Sequence, residues 1–92
     1  MMALPDDIQR LLDLRGLKCP LPAMKTRNAV MRMEPGGSLI VLATDPMSAI
    51  DVPHAVAQAG GSLVSQSRDA DVLRFEIVKR DHPDASVEQA AR

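Results

Sequence analysis

The 92-residue chain has no tryptophan and no tyrosine, and Phe75 is its only phenylalanine. Its core must therefore be built from aliphatic side chains and methionine, and no aromatic platform exists on which nucleic-acid bases stack. Neither sign of charge dominates: 11 lysines and arginines against 12 aspartates and glutamates leave a formal charge of −1. That balance lacks the basic footprint of nucleic-acid binding, so no direct nucleic-acid partner is expected. No apolar run approaches the ~20 residues a membrane-spanning helix requires, and no membrane partner is expected either. Met1-Met2-Ala3-Leu4-Pro5-Asp6-Asp7 has neither the cationic start nor the apolar centre of a secretory signal. There is one cysteine. It cannot form an internal disulfide, which suits a reducing compartment, so a cytoplasmic protein is expected. Cys19, His54 and His82 are widely separated and show no ligand spacing, so neither a metal nor another cofactor is expected. The Asp6-Asp7 pair and Asp69 with Asp71 read as solvated turn charges.

What remains describes one small domain. An apolar share of 46% is enough for a compact core. Residues 1–7 form a loose arm and 81–92 a flexible or helical tail, with the domain proper at 8–80. Residues 8–14 alternate as a first strand. Residues 20–33 read as a helix, with Ala23, Met24, Thr26, Val30, Met31 and Met33 on one broad apolar face. Arg27 falls inside that arc, where two readings stand: a cation snorkelling to the core edge, which is favoured, or one facing a site. Pro35-Gly36-Gly37 break the helix. Residues 38–44 are almost continuously apolar, as in a strand that is central or buried on both sides. Pro53 is poorly tolerated inside a helix, so the second main helix is placed near Asp51 and ends at Gly60-Gly61. Residues 62–68 and 71–79 form two strands around an Asp69-Ala70 turn, the second with Leu73, Phe75 and Ile77 on its inner face. The order β-α-β-α-β-β predicts an α+β fold. It is a two-layer sandwich in which a mixed four-stranded sheet carries both helices on one face.

The chemistry-bearing stretch is Asp13-Leu14-Arg15-Gly16-Leu17-Lys18-Cys19-Pro20-Leu21-Pro22. Most lone cysteines are small buried hydrophobes. Cys19 instead sits in a turn between strand and helix, beside Lys18 and two prolines, which favours a partly exposed thiol. Sulfur reacts as the thiolate, and a free cysteine has a pKa of about 8.5. Pro20 fits the first helical position, which puts Cys19 at or beside the N-cap, where the helix dipole favours an anion. Arg15, Lys18 and Lys25 add positive potential, so a lowered thiol pKa is expected. Gly16 permits the tight turn.

Residues 13–22 resemble the signature of the TusA-like, or SirA-like, sulfur carrier family: a strand, a glycine turn, then Cys-Pro-x-Pro opening a helix. The Pro-Gly-Gly break at 35–37, Thr44-Asp45-Pro46, Asp51-Val52-Pro53 and the Gly-Gly break at 60–61 follow the family's spacing, so the likeness spans residues 11–79. It implies a carrier and not a stand-alone enzyme. Cys19 would hold sulfane sulfur as a persulfide, received from a cysteine desulfurase or a rhodanese-like protein and passed to a downstream acceptor protein. Asp13, Gly16, Pro20 and Pro22 match the supporting motif, and Arg27 falls where a basic residue is common. The loop with Arg15, Lys18 and Lys25 would dock partners. Leu21 occupies a variable position that is acidic in carriers feeding tRNA thiolation and often apolar in versions linked to sulfur oxidation. The final pathway, whether tRNA thiolation, cofactor biosynthesis or sulfur oxidation, stays open. Two alternatives remain: a regulatory or interaction module with an incidental cysteine, and a thiol redox protein restricted to mixed disulfides because it lacks a second cysteine.

Overall fold

The computed structural model describes residues 9–80; the expected arm, tail and His82 lie outside the described residues. Six elements follow in order: β1 (Gln9–Leu14), α1 (Leu21–Arg32), β2 (Ser38–Ala43), α2 (Ser48–Gln58), β3 (Gly61–Asp69) and β4 (Val72–Lys79). The sheet order is β1-β2-β4-β3. β1 runs parallel to β2 with Leu14 opposite Ala43, and β4 is antiparallel to both β2 and β3. This is the expected α+β sandwich with a mixed four-stranded sheet.

Period-two alternation explains which face of the sheet is buried. Leu39, Val41 and Ala43 of β2 meet Leu73, Phe75 and Ile77 of β4 in the core, under Val30 of α1 and Val52 and Val56 of α2. β2 is central, as expected, but only one of its faces is fully buried; Ile40 and Leu42 on the other are half-buried. Gly61 packs closely under the helices: a Cβ there would lie 3.0 Å from both Val30 Cγ1 and Val56 Cγ1, so those side chains would have to give way. The hairpin turn is Ala70-Asp71, one residue later than expected, since Asp69 still pairs with Val72.

Two expectations about the helices are corrected. α2 begins at Ser48, not near Asp51, and carries Pro53 inside it. Proline removes one N–H, and the carbonyl it would have bonded is that of Ala49. Gln66 of β3 supplies a substitute, its Nε2 donating to Ala49 O at 3.3 Å. In α1 the buried line is Pro22, Thr26 and Val30, with Ala29 and Met33 packed beside it. Met24 and Met31 lie about half a turn away from that line, and each is 52% exposed. The broad apolar arc is thus two arcs, one against the sheet and one facing outward. Arg27 belongs to the outward arc and is exposed.

Lys79 closes the domain from the far side. Its side chain is buried, with Nζ donating to Val30 O at 2.7 Å and to Met31 O at 3.4 Å, which caps the C-terminal end of α1. Among the described residues no helix is long and apolar enough to cross a membrane.

Candidate functional site

Because β1 and β2 are parallel neighbours, the loops that follow them emerge at the same edge of the sheet. Each holds the other. After Leu14 the chain turns through Gly16, whose φ of +89° strains any side chain. Gly16 N donates to Thr44 Oγ1 at 2.8 Å. Cys19 N then donates to Asp45 Oδ2 at 2.5 Å, while Asp45 Oδ1 accepts from Met47 N at 3.2 Å. One carboxylate thus pins the cysteine's backbone and the start of α2 together.

The Cys19 side chain is exposed. Its Sγ donates to Asp51 Oδ2 at 3.4 Å, across 32 residues of chain. That bond is the largest cause that pushes the thiol pKa up; desolvation and the negative charges of Asp51 and Asp45 push the same way. The expected lowering is therefore overturned. Pro20 is the N-cap and Leu21 the first helical residue, so Cys19 lies beside the N-cap as expected, while Pro20 stands one position before the first helical place expected for it. The Leu21 N–H is taken by Lys18 O at 2.9 Å, and Pro22 has none to offer, which leaves few donors at the helix start to face sulfur.

Among the described residues none of the expected cations bonds to the Cys19 sulfur. Arg15 grips Asp13 through Nε and a terminal nitrogen at 2.8 and 2.7 Å. This fork holds the Asp13 carboxyl at a pKa of about 2 and pushes the guanidinium of Arg15 up. Among the described residues Lys18, Lys25 and Arg27 make no hydrogen bond or ion pair with Cys19, and all three are exposed. Pro22 is buried in the first turn of α1. Arg27 lines an open groove of about 270 Å³ between the helices, with Pro20, Ala23 and Met24 on its side and Asp51, His54, Ala55 and Gln58 opposite. Cys19 borders this groove through Pro20 and Asp51. His54 is exposed.

Thr44, Asp45 and Asp51 were not among the expected site residues. Asp45-Pro46 and Asp51 read in sequence as helix-start signals, which masks a second role. The available signal was topological: parallel adjacent strands bring their following loops together.

Residues 10–79 match the family described as Sulfurtransferase TusA. The chain is 38% identical over 73 residues to the sulfur carrier protein TusA of Pseudomonas paraeruginosa, covering 79% of this chain and 92% of that protein. It is 36% identical over 70 residues to the putative sulfur carrier protein YrkI of Bacillus subtilis, covering 76% and 93% respectively. The crystal structure of a SirA-like protein from Desulfitobacterium hafniense superposes with a TM-score of 0.66 at 24% identity, over 76% of this chain and 96% of that one. That likeness shows the fold.

Proposed function

We propose, for a chain that belongs to the TusA sulfurtransferase family, that it is a sulfur carrier holding sulfane sulfur as a persulfide on Cys19. The observation that carries this reading is the placement of the sole cysteine: an exposed thiol on a loop tied to the sheet by Gly16–Thr44 and Cys19–Asp45 bonds. A carrier needs its sulfur accessible and fixed in position, and both conditions are met. In loading, a bond forms between Cys19 Sγ and the outer sulfur of a donor persulfide. The donor's S–S bond breaks, its inner sulfur leaves, and the proton lost by Cys19 balances the one that sulfur gains. Unloading repeats the exchange, with a partner cysteine attacking the outer sulfur.

Two partners follow: a donor, either a cysteine desulfurase or a rhodanese-like protein, and an acceptor protein. Both must reach the same thiol. Lys18 and Lys25 are exposed around the loop, and complementary acidic groups on a partner would steer docking. Arg15 is withdrawn from that surface by Asp13. Exposed Leu21, Met24, Met47 and Ile50, on the elements that hold Cys19, add apolar contact area. A single thiol with no partner for a disulfide suits the cytoplasm.

Incubation with a cysteine desulfurase and cysteine, followed by intact mass spectrometry, tests the reading. Wild type gains one sulfur, about 32 Da, on Cys19, and Cys19→Ser gains none while keeping its circular dichroism spectrum. A folded wild type that takes no sulfur from either donor class would remove the reading.

A further inference from the structure

We propose that Asp51 is a proton latch on Cys19: its carboxylate holds the unloaded sulfur as S–H and turns away the loaded sulfur as an anion. This rests on the carrier reading above.

The geometry supplies the asymmetry. Asp51 Oδ2 accepts from Sγ at 3.4 Å, an interaction available only while the sulfur carries a proton. A persulfide is more acidic than a thiol, and once ionised it has no proton to donate. It then faces two carboxylates, Asp51 in α2 and Asp45 after β2, the latter already committed to the backbone of Cys19. The other charged or titratable groups nearby are Lys18 beside Cys19, and Arg27 and His54 in the groove that Asp51 lines. None of the three bonds to the sulfur or to Asp51 among the described residues. The carboxylate therefore acts on Cys19 without a bonded counter-ion. The raised thiol pKa agrees with this arrangement.

The latch sorts two states of one residue. Unloaded, the sulfur is protonated, tethered and a poor nucleophile toward stray electrophiles. Loaded, the inner sulfur has exchanged its proton for sulfur, the tether is gone, and like-charge repulsion directs the terminal sulfur outward toward an acceptor.

Cys19 is the sole thiol, so alkylation by iodoacetamide reads it alone. In wild type the pH midpoint of the alkylation rate is expected above the free-cysteine value of about 8.5. In Asp51→Asn, which keeps the shape and removes the charge, the midpoint falls by at least about half a unit, and the rate at pH 7 rises about threefold. Asp51→Ser serves as the second variant if the first does not fold. A wild-type midpoint at or below the free-cysteine value, or an unmoved midpoint in a folded variant, overturns the latch. The same samples are then treated with glutathione persulfide and weighed. If the midpoint shifts but neither protein takes up sulfur, the carrier reading fails. If both load and the midpoint is unmoved, only the latch fails.

Discussion

Asp13 near the end of β1 and Arg15 in the turn that follows show how a local pair diverts a charge from where the sequence suggests it acts. The pair has a testable signature. The Asp13 carboxyl is held at about 2 against an ordinary 3.8, first by the side-chain hydrogen bond from Arg15. Its folded value lies below its unfolded one, so the pair favours folding above the unfolded value. That contribution disappears as pH falls through the folded value. Carbon-detected NMR titration is expected to place the Asp13 midpoint near the lower number, and Arg15→Ala to return it toward the upper one. A midpoint that does not move in Arg15→Ala would show that the fork is not what holds it. Cys19 itself was legible as an exposed thiol from its turn, its prolines and its isolation. The direction of its acidity was not. That direction depends on Asp45 and Asp51, 26 and 32 residues away, and sequence neighbours such as Lys18 misrepresent it.

Among the elements, α1 depends on a residue from the opposite end of the chain. Lys79 Nζ donates to two carbonyls at the helix C-terminus, Met31 O and Val30 O, the second of which also accepts from Met33 N. Lys79→Met keeps the buried stem but removes the donor, and is expected to cost about 1.5–3 kcal/mol in urea unfolding. A loss within measurement error would mean that water replaces the ammonium. Most element boundaries were readable from apolar periodicity and from the glycine breaks. The start of α2 was not, because local rules bar Pro53 from a helix interior and so move the start to Asp51, whereas Gln66 on β3 caters for the carbonyl that proline leaves unbonded. The outward methionines of α1 failed for a related reason. A helix in a two-layer fold buries only one side, and hydrophobicity alone does not tell a core stripe from a surface one.

At the scale of the molecule, strand pairing and layer count follow from the β-α-β-α-β-β order, since crossover and hairpin rules leave few alternatives. Phe75 lies in β4 at the middle of this arrangement, fully buried and paired with Val41. With no other aromatic side chain to fill the space, Phe75→Ala is expected to cost about 3–5 kcal/mol. Calorimetry would show it as a large fall in melting temperature; a small fall would mean that the aliphatic core closes over the cavity. The position of the sulfur is likewise a property of the whole sheet. Cys19 and Gly16 are fastened to residues that directly follow β2, a strand flanked on both sides. Leu21, Met24 and Ile50 take no part in those fastenings. Placement is thus a property of the scaffold: exchanging those exposed side chains alters the surface around Cys19 and leaves untouched the bonds that fix its backbone.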